Sequence, residues 1–360
     1  MRVVSTPVGL RGAAGILILL AALMLALSGA RAPAAEPEPG PSKAEPPSNA
    51  APAAPGGLDP ERVVRAVVGI RAVVPPDSQS AATLGTERNG SGVVIDGSGL
   101  ILTIGYTVME ASQIEVTAAD GKSWPATMIA YDPVSGFGLL RAGLGFAAPW
   151  LRLGDSNAVA EGDTLLVLSG GENRGATAVH VVGKREFAGY WEYLLDEALF
   201  TFPPVRAFNG AALVNRDGRL VGVGSLLVME AVQGRGLPGN MFVPVSALEP
   251  ILADLLAYGR RQDPPRPWLG VTLREEMGRL LVEKVSPRGP AESAGIKAGD
   301  WIVGVGGQRF SGLADFYRKL WGLGPAGTVV PLEVMRGATL TPVPVPSADR
   351  VRFLRLNPTL

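Results

Sequence analysis

The chain contains a single imidazole, His180, and no thiol. Those two facts bound its chemistry. Acyl transfer through a serine needs an oxygen nucleophile, a base to take its proton and a group to orient that base. His180 lies in Ala176-Thr177-Ala178-Val179-His180-Val181-Val182, an apolar β run. It reads as a strand histidine on a barrel wall rather than as a base for Ser135, Ser91 or Ser225. A serine–lysine arrangement with Lys184 is possible, but no motif surrounds it. One His and no Cys leave only scattered carboxylates as metal ligands, so no metal and no cofactor is expected. Lys plus Arg equals Asp plus Glu, 33 against 33. That balance offers no basic face to replace the counterions of nucleic acid, and no nucleic-acid partner is expected.

One stretch decides how the rest of the chain is read. Ala207-Phe208-Asn209-Gly210-Ala211-Ala212-Leu213-Val214-Asn215 lies between a polar loop and the apolar β run Arg219-Leu220-Val221-Gly222-Val223-Gly224. Its third residue, Asn209, carries an amide that cannot be deprotonated to attack a carbonyl.

The elements around that stretch divide the chain. With 360 residues, 47% hydrophobic and 18% charged, there is core enough for two or three domains. Residues 1–30 read as a signal peptide or membrane anchor: Arg2 and Arg11, then an apolar stretch from Ala13 to Leu27, then Ser28-Gly29-Ala30. Counted over residues 7–30, the segment is long enough for an uncleaved anchor. Residues 31–57, rich in Ala and Pro, read as a disordered tether. Residues 58–259 carry many short strands separated by Gly and Pro turns, the signature of a mainly β barrel or sandwich. Within them, Asp59 opens a short helix, and residues 90–103 form a hairpin across Asp96-Gly97-Ser98-Gly99. Leu248, Ile251, Leu252, Leu255 and Leu256 predict a helix over residues 246–258 with Ser246 as N-cap. Residues 260–267 (Arg-Arg-Gln-Asp-Pro-Pro-Arg-Pro) are a linker. Residues 268–345 form a small α/β unit with strands over 280–285, 300–305 and 329–335 and an amphipathic helix over 313–321. The tail, 346–360, shows the alternation Val351, Phe353, which predicts a last short strand.

Several stretches, weak singly, carry a resemblance in their order and spacing. They are Gly90-Ser91-Gly92-Val93-Val94-Ile95, Leu102-Thr103, Leu153-Gly154-Asp155-Ser156, Glu161-Gly162-Asp163, Ala212-Leu213-Val214-Asn215 and Phe242-Val243-Pro244-Val245. With them, residues 58–258 resemble the trypsin-like, double-barrel protease domain of the HtrA (Deg) family. Trp268-Leu269-Gly270-Val271, Val285-Ser286-Pro287, Gly289-Pro290-Ala291, Ala298-Gly299-Asp300 and Gly306-Gly307-Gln308 resemble the PDZ domain that follows it.

The resemblance implies where a triad would stand. The family's serine falls on Asn209. Its histidine, shortly after Leu-Thr, falls on Tyr106, a phenol and a poor base at neutral pH. Its aspartate, in an Asp-Pro-x-x-Asp stretch, falls on Gly136. The first glycine of the family's oxyanion loop is Ala207, where a Cβ is expected to disturb the hole. Each stretch matches on both flanks and departs at the chemical residue. A catalytically inactive protein is therefore expected, the alternative being an active serine endopeptidase with a rearranged site.

Binding remains. A PDZ domain adds a peptide C-terminus as a strand and holds its carboxylate on backbone N–H groups. The resemblance assigns the carboxylate loop to Trp268, Leu269, Gly270 and Val271. The groove wall falls on Leu313, Phe316, Tyr317 and Leu320, at helical spacing. The implied partner is a peptide or protein C-terminus with an apolar last residue, and the chain's own Leu360 is one candidate. The family also implies an exported, periplasmic protein, soluble or anchored. Residues 58–74 are compatible with a homotrimer or a hetero-assembly with active homologues.

Overall fold

The computed structural model describes residues 59–354 and 356, so the expectations for residues 1–58 and for Leu360 lie outside the described part. The first element is the helix Pro60–Arg65. Asp59 caps it, its carboxylate accepting from the N–H groups of Glu61 and Arg62, and Pro60 sits where no amide donor is needed.

Six strands follow: β1 (Val67–Val73), β2 (Glu87–Val94), β3 (Leu100–Ile104), β4 (Gln113–Thr117), β5 (Ser123–Tyr131) and β6 (Phe137–Ala142). They close into a barrel in the order β1-β2-β3-β6-β5-β4, which leaves no free edge. The β2–β3 turn is tied by Asp96, whose carboxylate accepts from the N–H groups of Ser98 and Leu100.

A second barrel is built from β7 (Thr164–Ser169), β8 (Gly175–Gly189), β9 (Tyr193–Phe202), β10 (Ala212–Val214), β11 (Leu220–Val232) and β12 (Leu237–Pro244). Its order is β10-β11-β12-β9-β8-β7. The barrels share one core: Leu102, Ile104 and Phe137 of the first cluster with Leu166, Phe200 and Val243 of the second. β8 runs well past the apolar β run of residues 176–182, and β9 was not expected at all. Together they project a long hairpin, with residues 190–192 at its tip.

The helix expected over 246–258 is shorter. It spans Leu252–Tyr258 and ends on Gly259 in the left-handed region. Pro250 lacks an amide donor and disfavours helical backbone at Glu249, so the preceding residues form a 3-10 turn, Val245–Ala247. Ser246 is not its N-cap; its N–H donates to Ser156 Oγ.

The C-terminal unit is a sheet of β13 (Val271–Glu276), β14 (Arg279–Val285), β15 (Trp301–Val305), β16 (Val329–Arg336) and β17 (Thr339–Pro346), in that order. Helices Pro290–Ser293 and Leu313–Gly322 accompany it. β17 was hidden by its prolines. Pro342, Pro344 and Pro346 alternate with buried Val343 and Val345. Pro344 pairs with Pro331, so both face the non-hydrogen-bonded side of the ladder. The tail is not a strand. Asp349 caps a one-turn helix, Arg350–Phe353, and Leu354 and Leu356 pack on the first barrel. Among the described residues no helix is long and apolar enough to cross a membrane.

Candidate functional site

Between the barrels, a 3-10 turn over Gly105–Thr107 gathers the three positions at which chemistry was sought. The Gly105 N–H donates to Gly136 O at 2.7 Å, and Thr107 Oγ1 donates to Asn209 Oδ1 at 3.0 Å. Tyr106 lies between them. Folding therefore brings Tyr106, Gly136 and Asn209 to one place.

None is arranged to move a proton. The Tyr106 hydroxyl donates to Ser225 O at 2.5 Å, across the crevice. Burial pushes its pKa further above the ordinary phenol range. Both ends of the Asn209 amide are engaged: Oδ1 by Thr107, and Nδ2 donating to Asn89 O at 2.8 Å. Asn209 O accepts from the Ser91 N–H at 2.8 Å, so the loop is stitched to the first barrel. Gly136 has φ +83°, and a Cβ there would stand 3.2 Å from the Tyr193 hydroxyl. A side chain would have to displace that hydroxyl, which donates to Ser135 O.

The loop itself is tightly seated. Gly210 has φ +69°, and a Cβ on it would lie 2.0 Å from Ser91 O. Ala207 is not among the residues with positive φ, so its Cβ is accommodated without the distortion expected. His180 is exposed on β8, with Nδ1 at 3.1 Å from Thr164 Oγ1. No hydrogen bond joins it to Ser91, Ser135 or Ser225. Ser135 instead donates to Asp132, whose carboxylate also takes two bonds from Arg261 at 2.8 Å each. Burial would raise the Asp132 carboxyl, but Arg261 and Ser135 hold it below the usual carboxylate range.

The second candidate site is the loop entering β13. Gly270, at φ +81°, turns three successive N–H groups to one side, a nest shaped for a carboxylate. Those of Leu269, Gly270 and Val271 converge on one carboxylate, that of Glu192 at the β8–β9 tip. The distances are 2.8 Å to Oε2 and 2.7 and 3.0 Å to Oε1. Trp268 is not part of the nest. Its backbone pairs with Ala348 and its ring packs on Phe353. Leu313, Phe316, Tyr317 and Leu320 lie on one face of their helix and are all buried in the core of this unit. Of the four, Tyr317 also reaches the hairpin: its hydroxyl donates to Gly189 O and accepts from the Glu192 N–H. The sequence carried no signal for Glu192, whose partners lie 77 to 79 residues away.

A double barrel with its reaction loop in the crevice, followed by a sheet that cradles a carboxylate, defines a trypsin-like peptidase fold joined to one PDZ domain. Residues 90–223 match the trypsin-like peptidase domain and residues 267–346 the PDZ domain. The chain is homologous to the HtrA proteases DegP and DegS. It is 26% identical over 263 residues to the periplasmic serine endoprotease DegP of Salmonella typhimurium, covering 69% of this chain and 54% of that protein. It is 26% identical over 266 residues to the serine endoprotease DegS of Escherichia coli K12, covering 69% and 73%. The chain thus spans about half the length of its DegP relatives. Among solved structures, the HtrA-type protease AlgWS227A with tripeptide superposes with a TM-score of 0.50 at 20% identity, over 81% of this chain and 95% of that one, a likeness of fold.

Proposed function

We propose that this chain is a catalytically inactive HtrA-type protein of the cell envelope. Its PDZ domain takes peptide or protein C-termini with an apolar last residue, and it serves as scaffold, sensor or adaptor in protein quality control. The observation that carries the reading is the state of the crevice. Tyr106, Gly136 and Asn209 stand together where a base, its orienting carboxylate and a nucleophile are needed, and the phenol and the amide are both committed to structural hydrogen bonds. Losing a triad costs about 10⁶-fold in rate. The nest of Leu269, Gly270 and Val271 supports the binding half of the reading, because it already holds a carboxylate.

The periplasmic location is proposed from the periplasmic relatives and from the apolar stretch at residues 7–30, as a cleaved signal or an anchor. The division into a degenerate protease-fold domain (58–259), a linker (260–267) and a PDZ domain (268–345) is part of the same proposal. So is assembly as a homotrimer or with active homologues.

The test pairs cleavage of casein and a peptide library with fluorophosphonate labelling, on residues 31–360. No cleavage and no labelling are expected, and Asn209→Ser is expected to stay silent because Tyr106 and Gly136 remain. Cleavage by the native chain that disappears in His180→Ala would overturn the proposal in favour of a rearranged endopeptidase.

A further inference from the structure

The PDZ nest is occupied from within its own chain. The β8–β9 tip supplies, from separate residues, the three features by which a PDZ groove reads a chain end. Glu192 supplies the carboxylate on the three N–H groups. Tyr190 supplies main-chain pairing, its carbonyl accepting from the Leu273 N–H of β13 at 2.8 Å. Leu194 supplies the apolar side chain, 8% exposed and buried in the PDZ core with Leu269, Phe316 and Leu320.

The tip is built for this pose. Glu192 adopts φ +60°, a left-handed conformation that a residue with a Cβ takes at a cost. The Tyr317 hydroxyl holds that turn from both sides, through Gly189 O and the Glu192 N–H. Arg318, on the same helix, pairs with Glu186 of β8 and Asp196 of β9. Arg350 of the tail helix donates to Trp191 O at 3.2 Å. Glu192 itself is 5% exposed, so no incoming carboxylate reaches the nest while it is docked.

We infer that residues 189–194 are an internal ligand of the PDZ nest, and that a free chain-terminal carboxylate binds there only by displacing Glu192 and lifting the hairpin from the groove. This rests on the proposed reading of the PDZ domain as a reader of C-termini and adds its control. The displaced segment is the end of two strands of the second barrel. Lifting it would release Tyr190 O from the Leu273 N–H and Trp191 O from Arg350.

The experiment uses residues 31–360 as wild type, Glu192→Ala, Glu192→Gln and Tyr317→Phe. One readout is amide hydrogen exchange at Leu269, Gly270, Val271 and Leu273. The other is fluorescence anisotropy with a pool of fluorescein-labelled decapeptides of randomised interior ending in a free Leu, Val, Ile or Phe, beside the same pool amidated. Wild type is expected to protect all four amides. Glu192→Ala is expected to lose protection at the first three and to bind the free-carboxylate pool at least tenfold more tightly, with the amidated pool unbound. Glu192→Gln and Tyr317→Phe are expected to fall between. Unchanged protection in Glu192→Ala together with unchanged affinity would overturn the inference. Protection lost in Glu192→Ala with no peptide bound by any variant would leave the internal contact standing and overturn the reading of the domain as a reader of C-termini. The two failures are therefore distinguishable.

Discussion

Replacing Asp132 by Asn should destabilise the fold in a way that pH identifies. Asp132 is 1% exposed and accepts four hydrogen bonds. Oδ2 takes the Ser135 N–H, the Ser135 hydroxyl and Arg261 Nη2, and Oδ1 takes Arg261 Nε. An Asn side chain can keep its oxygen at the crowded position, but its NH2 then faces Arg261 Nε–H, donor against donor. One hydrogen bond to a charged group is lost, worth roughly 1.5–3 kcal/mol, and the guanidinium loses its counter-charge. Breaking a fully buried pair costs roughly 3–5 kcal/mol. Arg261 is 22% exposed, so water recovers part of that, and the expected loss is about 2–4 kcal/mol. The assay is urea unfolding followed by tryptophan fluorescence, from pH 7 downward. The folded-state pKa of Asp132 is depressed, so its contribution is fully present above the unfolded value of about 3.9 and disappears as pH falls through the folded one. The gap between wild type and variant should hold from pH 7 to about pH 4 and then close. A gap under about 0.5 kcal/mol at pH 7, or one that persists unchanged at low pH, would refute the account of this pair.

Three further outcomes are expected. Gly210→Ala should lower stability by more than about 3 kcal/mol in thermal unfolding, since a left-handed backbone and a 2.0 Å approach to Ser91 O act together. Tyr106→Phe should cost about 1–2 kcal/mol, the bond to Ser225 O being lost inside the crevice, and should leave proteolysis absent. His180→Ala should change stability by no more than about 0.5 kcal/mol, measured by the same unfolding assay, because the ring is exposed and, among the described residues, bonds to Thr164 alone.

The strand patterns of the first barrel were legible in the sequence because they rest on local signals, alternation and turn residues. The crevice positions Tyr106, Gly136 and Asn209 were assigned by the resemblance alone, and their contacts with one another's surroundings appear only in the fold. What escaped has physical reasons. β9 contains Asp196 and Glu197 in a register that bulges against β8, so its alternation is broken where it would be read. β17 carries three prolines, which argue against a strand unless the strand lies at an edge. The tail alternates like a strand, but the Asp349 carboxylate accepts from the Val351 N–H and caps a one-turn helix there. Ser246 lost its cap role to Pro250, which delays the helix. Leu313, Phe316, Tyr317 and Leu320 have the spacing of a helix face, but spacing cannot tell that they are buried in a core that also takes in Leu194 of the hairpin. Glu192 is a buried carboxylate whose partners are backbone amides, and backbone amides leave no mark in a sequence.

The three prolines of β17 have a consequence for how this protein behaves when crowded. A five-stranded open sheet has two rims, and each is a template on which a foreign strand can polymerise. At the β17 rim, Pro342, Pro344 and Pro346 occupy the positions whose amide nitrogens would face outward, so that rim offers no donors there. At the β13 rim, the Leu273 donor is already given to Tyr190. At these positions neither rim offers a foreign strand a free amide donor. A chain end that displaced Tyr190, as proposed, would take the Leu273 donor in its place, and that position of the rim would again be filled.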